Sequence, residues 1–475
     1  MNQSWEIENF LDVREGQLYI DGLAATDIAR DHGTPLFVFS EARIKRNIAR
    51  IQKAQAVIGC PLKVCYAAKA MSTMAILRTV KDAGCDIEVN SGGELWKAIE
   101  IGFRGDQIIF NGTSKEVWEI ENAINAGIYA IQVDSLYELS LISQCAKRLG
   151  KRANVSLRLV PEIETNTHSG LQTALLTSKF GMMPAEAFAA FREYKDSPHL
   201  DLCGIHIHIG SQNPDASPYS EAFTMLFETL HRIHSETGTK LKHINLGGGF
   251  PVNYLKGDPD ASEMPAEQQA MFSADFEPAD AIATAWNAVT KAAEKAHAAD
   301  LLEGLTLLLE PGRSIISDAA ICLTTVRNAK SRPVLESSPT DNRQPTTDDW
   351  LLTDAGFNIL LSMETYKWYY HMISAKRSGE PHVTRYKLAG PLCDGGDVYF
   401  DIEGQDRLPE HRLLPENVEP GELLALLNCG AYSLAQASQY NGRFLPAVVL
   451  IRENGEAELI RKRDGFSDLV PNDIW

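Results

Sequence analysis

The strongest constraint on this chain's fold is a rhythm. From about residue 43, short apolar runs alternate with stretches of helical periodicity, the runs lying at 62–67, 86–89, 107–110, 129–133, 154–160, 203–209, 243–246 and 305–309. Runs of this length and apolarity read as strands buried on both faces, the pattern of a parallel sheet. Eight such strands with helices between them, over about 270 residues, are the size of an α/β fold of the (β/α)₈ TIM-barrel type. A doubly wound open sheet is the alternative, because it uses the same alternation.

Local signals mark the helix ends. Ser91-x-x-Glu94, Thr113-x-x-Glu116 and Ser135-x-x-Glu138 match the capping box, whose side chains satisfy free amides of a first helical turn. Gly102, Gly127 and Gly150 stand where left-handed C-caps would stop the helices. Leu136, Leu139, Ile142, Ala146 and Leu149 form one apolar stripe. The two widest gaps between strands leave room for extra elements.

Outside this rhythm the texture differs. Pro35–Phe39 ends a short leading element as a strand-like run. After Ser314, shorter runs at 350–353, 359–361, 383–389, 423–427 and 446–451 are divided by Gly, Pro and Asp, which predicts a mostly β second domain. Residues 329–349, polar and proline-bearing, read as an exposed loop.

Bulk properties narrow the function class. A formal charge of −18 argues against a nucleic-acid or anionic-membrane partner, and no apolar run is long enough to span a bilayer. The polar, acidic start resembles neither a secretory signal nor a transit peptide. The eight cysteines are scattered without a Cys-x-x-Cys pair, which fits a reducing cytoplasm.

Chemistry-bearing residues gather at the strand ends, where a barrel keeps its active site. Lys69 follows the first strand in Cys65-Tyr66-Ala67-Ala68-Lys69-Ala70; by position alone it reads as a solvated surface charge. His206-Ile207-His208-Ile209-Gly210-Ser211-Gln212 spans the sixth strand and its turn, with the two histidines toward one face. A metal pair would need third and fourth ligands, and no clear set stands at the other strand ends, so no metal is expected. Gly247-Gly248-Gly249 follows the seventh strand and would let amides converge on an anion, supported by Ser211. Glu310-Pro311-Gly312-Arg313 ends the eighth; on spacing alone a structural ion pair is equally good. Together the set suits pyridoxal 5'-phosphate, which needs an amine for its aldehyde, a flat group against the ring, a phosphate cradle and a partner for the pyridine nitrogen.

The chain resembles the fold-type III pyridoxal-phosphate decarboxylases, the group containing diaminopimelate, ornithine and arginine decarboxylases. The matching segments are Tyr66–Ala70, Ser91–Glu94, Ser178–Gly181, His206–Gln212, Gly247–Pro251, Glu310–Arg313, Gly390–Asp394, Gly430–Tyr432 and Tyr440–Arg443, in family order over roughly 35–450. The resemblance implies a barrel over 41–318 and a β-barrel or β-sandwich domain over 319–475, completed by residues 1–40. It also implies a head-to-tail homodimer with shared active sites. Lys69 would condense with the cofactor aldehyde and His208 would stack on the ring. Ser211, the Gly247–Gly249 turn, Gly312, Arg313 and Tyr432 would hold the phosphate, and Glu310 would pair with the pyridine nitrogen. Cys393 and Asp394 would reach into the neighbouring subunit's site, with Arg313 and Tyr432 also touching substrate.

Glu310 favours decarboxylation over racemisation, because a carboxylate keeps the pyridine nitrogen protonated and the resembling racemase pattern has arginine there. Cys393, with an ordinary thiol pKa of about 8.5, would supply the proton at Cα; its bland reading is a buried cysteine before a turn. The substrate motif departs from the diaminopimelate pattern. Cys393-Asp394-Gly395 replaces Cys-Glu-Ser, and Ser362 stands where an arginine would hold a distal carboxylate. Asp354 and Asp394 would then favour a distal ammonium, as in ornithine or lysine. Lys376 or Arg377 in the missing arginine's role would keep diaminopimelate open. Two readings from other classes are a cofactor-less regulatory homologue and a metal-dependent barrel hydrolase.

Overall fold

The structure, a computed structural model, describes residues 3–160, 178–333, 347–405 and 407–474. It divides into two compact units, Ile44–Val252 with Ala274–Ile315, and Met1–Arg43 with Asn253–Ser273 and Ile316–Trp475.

The first unit is a closed parallel barrel. Its strands are β1 (Leu62–Ala67), β2 (Asp86–Val89), β3 (Ile108–Phe110), β4 (Ala130–Val133), β5 (Ala153–Arg158), β6 (Leu200–His206), β7 (His243–Asn245) and β8 (Thr306–Leu309). Closure comes from β8 pairing in parallel with β1, Leu307 to Leu62 through Leu309 to Val64, which excludes the open-sheet alternative. Every residue of β3 and β4 is buried, as strands walled on both faces require.

The barrel helices, beginning with α1 (Met74–Asp82), behave largely as the sequence predicts. In α2 (Gly92–Ile101) and α4 (Leu136–Leu149), the Ser91 and Ser135 hydroxyls accept the Glu94 and Glu138 amides. Gly102, Gly127 and Gly150 close their helices in the left-handed region, at φ 88°, 61° and 62°. The box expected at Thr113 is displaced. Ser114 takes φ 57°, and Lys115 turns inward to donate to the carbonyls of Gly112 and Gln132 and to Glu138. Helix α3 (Val117–Ala126) therefore starts three residues later, with Glu119 accepting the Glu116 amide. The apolar stripe of α4 buries Leu139, Ile142 and Ala146, but Leu136, its first residue, stays 38% exposed.

The second unit is built on a sheet whose centre is the long strand Ala320–Pro333. The leading segment enters this sheet: strand Leu36–Ser40 pairs antiparallel with Ala320–Leu323 and parallel with Ala447–Ile451. All five of its residues are buried. The widest gap in the barrel rhythm holds an excursion, Asn253–Ser273, that belongs to this unit. Tyr254 packs edge-on against Trp368, Asp258 accepts from Tyr369 and pairs with His371, and the Asn428 amide donates to the Asn253 carbonyl.

Two expectations fail here. Residues 329–333 and 347–349 are not loop; they form the end of an antiparallel ladder, Lys330 opposite Trp350 and Pro333 opposite Thr347. A two-stranded ribbon draws its hydrogen bonds from the backbone, so polar side chains do not prevent it. Residues 334–346 lie outside the described residues. The run 359–361 is a turn leading into the helix Leu361–Thr365, with the Ile359 and Leu360 amides both donating to Gly356.

Because the leading strand lies inside the sheet, Phe37→Ala is expected to cost about 3–5 kcal/mol of unfolding free energy, measured by urea denaturation.

Candidate active site

The ends of β1, β6, β7 and β8 bring the predicted barrel residues together. Lys69 stands on the single turn Ala68–Ala70 that follows β1. The turn is held by the Ala67 amide on the Pro311 carbonyl (3.0 Å) and by the Tyr66 hydroxyl on the Met71 carbonyl (3.0 Å). The Lys69 side chain is exposed at the barrel mouth, and its charge acts on Glu94, Glu310, His206 and His208.

Glu310 leaves β8 into the interior and is gripped from two sides. Asn245, the last residue of β7, donates to one carboxylate oxygen at 2.7 Å, and Asn111, just beyond β3, donates to the other at 2.9 Å. The same Asn111 amide donates to Glu88 of β2 at 2.8 Å. Burial, and next the charge of Glu88, push Glu310 up to about 7, while Asn245, Lys69 and Asn111 oppose the rise. Arg158, at the end of β5, lies buried near both carboxylates with its guanidinium 4.2 Å from the Phe180 ring.

His206 and His208 are both held neutral. Burial depresses each, followed by the charge of Arg158 for His206 and of Lys69 for His208. His208 Nδ1 accepts the Gly248 amide at 3.3 Å, which leaves a flat, uncharged ring. Arg313 donates through Nε to the Ser211 hydroxyl at 3.1 Å, and Gly312 sets the turn before it by accepting the Ile315 amide.

The glycine run works differently from the expectation. The Gly247 amide is committed to Asn245 (2.8 Å) and the Gly248 amide to His208, so of the three glycines only Gly249 has an amide with no acceptor among the described residues. What these positions need is space. A Cβ would stand 2.6 Å from His208 Nδ1 at Gly247, 2.3 Å from the Glu310 carbonyl at Gly248 and 2.5 Å from the Gly210 carbonyl at Gly249. The loops after β6 and β7 are also tied by Gln212, whose amide group exchanges two hydrogen bonds with Val252.

The second unit carries the other predicted residues. Cys393 is the exposed one of the eight free cysteines. Asp394 is exposed and accepts the Gly396 amide and the Tyr440 hydroxyl. Tyr432 adopts φ 57° after Gly430, where a Cβ would stand 1.8 Å from the Ile316 carbonyl. Asp397, which sequence reasoning did not single out, accepts the Phe357 and Leu392 amides at 2.8 Å each and so joins the two loops carrying these residues.

Asp354 does not serve as expected. One oxygen accepts from Thr324 and the Thr325 amide, the other from Thr34 and the Arg327 guanidinium. A carboxylate so satisfied is a structural clamp rather than a receptor for a distal ammonium. Arg377 is likewise committed, forked onto Glu422 and bonded to Glu380 and the Glu416 carbonyl. Glu88, Asn111, Asn245 and Arg158 were missed. Their one signal was a polar residue at or just beyond the end of an otherwise apolar barrel strand.

The barrel residues suit a ring-and-phosphate cofactor: an amine, a neutral flat ring, a carboxylate held by two amides, and an arginine–serine pair beside a glycine turn. The family model for the pyridoxal-dependent decarboxylase, pyridoxal binding domain, matches residues 41–317. The chain is 34% identical over 470 residues to the diaminopimelate decarboxylase of Methanocaldococcus jannaschii, covering 98% of this chain and 96% of that one. It is 32% identical over 464 residues to the Bacillus subtilis diaminopimelate decarboxylase, covering 97% and 96%. The crystal structure of the M. jannaschii enzyme in complex with L-lysine superimposes with a TM-score of 0.80 at 32% identity, covering 98% of both chains. The chain belongs to the fold-type III pyridoxal-phosphate-dependent decarboxylases. It is an amino-acid decarboxylase, a lyase, and its cofactor is pyridoxal 5'-phosphate.

If Asp354 is a clamp, Asp354→Ala lowers unfolding free energy by about 1–3 kcal/mol and leaves the ratio of kcat/KM values between substrates unchanged.

Proposed function

We propose that the chain decarboxylates a diamino acid at Cα, diaminopimelate in the first instance, giving CO₂ and lysine. The full-length likeness to diaminopimelate decarboxylases supports this. The observation that carries it is the cluster around Gly396. A Glu364 and an Asp394 oxygen lie 3.3 and 3.4 Å from where a Gly396 Cβ would stand, and the buried Lys367 pairs with Glu364 at 3.0 Å. Two acids and one cation match a distal centre bearing both an ammonium and a carboxylate. Lys367 would thus take the part of the arginine absent at Ser362, in place of Lys376 or Arg377.

A second reading, an ornithine- or lysine-type substrate, rests on Ser362 itself. That side chain is buried, bonds to Gln436 at 3.3 Å and offers no charge. The Lys367 charge is already balanced by Glu364, so a second buried carboxylate would be costly.

The roles follow from the chemistry of each group. Bound pyridoxal phosphate supplies a protonated ring that accepts the electron pair left when CO₂ departs. Lys69 would hold the cofactor through its amine, and the neutral His208 would lie against the ring. Arg313, Ser211 and the Gly249 amide would bind the phosphate. Glu310 would keep the ring nitrogen protonated. Cys393 would deliver a proton to Cα. Cys393 and Asp394 act in the partner's site, which makes the working unit a homodimer.

The chain acts in the cytoplasm, without nucleic-acid or membrane partners. Eight free thiols, one exposed, suit a reducing compartment. No helix among the described residues is long and apolar enough to cross a membrane.

Initial rates of CO₂ release from meso-diaminopimelate and from L- and D-lysine and ornithine test the substrate. Diaminopimelate is expected to have the highest kcat/KM, with Lys367→Met reducing that lead; preference for ornithine or lysine would favour the second reading. Mixing inactive Lys69→Ala and Cys393→Ala chains tests the shared site: hybrids with one intact site are expected to restore about a quarter of wild-type activity. No recovery despite subunit exchange would exclude it.

A further inference from the structure

Glu88 has no part in the roles above, yet it is the more deeply buried of the two carboxylates in the barrel mouth. It is fully enclosed, one oxygen accepts from Asn111, and the other has no hydrogen-bond partner among the described residues. A buried carboxylate oxygen left bare is costly unless its charge is used. Asn111 carries two amide hydrogens and spends one on Glu88 and one on Glu310, so a single side chain ties the carboxylates together. Its own oxygen is also buried and accepts no hydrogen bond from the described residues.

We propose that Glu88 is a positioning residue for the cofactor: with Glu310 it forms a two-carboxylate tray, joined by Asn111, whose doubled negative charge selects the protonated pyridine nitrogen. This rests on Glu310 facing that nitrogen. Glu310 alone would offer one charge, softened by the Asn245 and Asn111 amides and opposed by Lys69. Glu88 would add its charge to that field through Asn111 and Glu310. The groups facing the pair are Arg158 from β5, His206 from β6, Glu94 from α2 and Lys69 after β1. Arg158 and Lys69 offset part of the charge, Glu94 adds to it, and the neutral His206 leaves it unchanged. Glu88 also raises the proton affinity of Glu310, and the same negative charge would raise that of a ring nitrogen facing the pair.

The test compares two ligands that differ only at that nitrogen. Full-length chain stripped of cofactor is titrated with pyridoxal phosphate and with 1-deazapyridoxal phosphate, in which a C–H replaces the ring nitrogen, and Kd is read by absorbance and tryptophan fluorescence. Wild type is expected to prefer pyridoxal phosphate. Glu88→Gln, of the same shape but uncharged, reduces the preference on the order of tenfold, whereas Glu88→Asp retains most of it. The wild-type preference should fall as pH drops through about 7, where Glu310 takes up a proton and loses its attraction for the ring cation. In Glu88→Gln that midpoint moves to lower pH, because the like charge is gone. Equal weakening of both ligands in Glu88→Gln, with an unmoved midpoint, would mean a packing role only and overturn the proposal. Glu310→Gln separates the two ideas. If it abolishes the preference while Glu88→Gln does not, only the Glu88 proposal fails. If it leaves the preference intact, the assignment of Glu310 to the ring nitrogen fails.

Discussion

The pairing of β8 with β1 is the contact on which the rest depends. Leu307, Leu308 and Leu309 run beside Leu62, Lys63 and Val64, and the next residues on each strand lead to Glu310 and Lys69. An amine and a carboxylate far apart in the chain thereby share one mouth. The Ala67 amide on the Pro311 carbonyl extends the pairing beyond the strands and holds the lysine turn against the glutamate loop. Without closure, each side chain would be an ordinary charge on a strand end.

Closure creates a problem as well as a site. Glu88, Glu310, Arg158 and His206 sit where water is excluded, and a buried polar group is costly unless it is bonded or paired. The barrel answers with asparagines: Asn245 and Asn111 supply fixed amide donors that add no charge of their own. The glycine run serves the same layer by letting backbone approach His208 and Glu310 more closely than any side chain would allow. The histidines are kept neutral by the same burial that makes Glu310 a stronger base.

In the second unit, loops rather than strands carry the chemistry, and their positions come from buried carboxylates. Asp397 accepts amides from the loops of Phe357 and Leu392, and Asp354 gathers Thr34, Thr324, Thr325 and Arg327. Asp354 and Asp394 look alike in sequence, each within two residues of a glycine in a turn. Asp354 has all its acceptor sites filled by its own unit, whereas Asp394 has an exposed side chain. The glycines beside Asp397 follow from this crowding, since a Cβ on Gly356 or Gly390 would meet its oxygens at 2.6 and 2.3 Å.

The sequence by itself determined the barrel, its helix stops, the leading strand's affinity for a sheet, and the residues at the strand ends. Those features are local: strand length and apolarity, left-handed glycines and capping side chains act over a few residues. Tertiary structure alone decided which polar residues meet. The displaced start of α3 follows from Lys115 reaching across to Glu138, and the ladder at 326–333 exists because Thr347–Thr353 lies opposite. Beyond a polar residue at each strand end, nothing local signals that Glu88, Asn111 and Glu310 meet, because three separate strands supply them and only closure of the sheet brings their ends together.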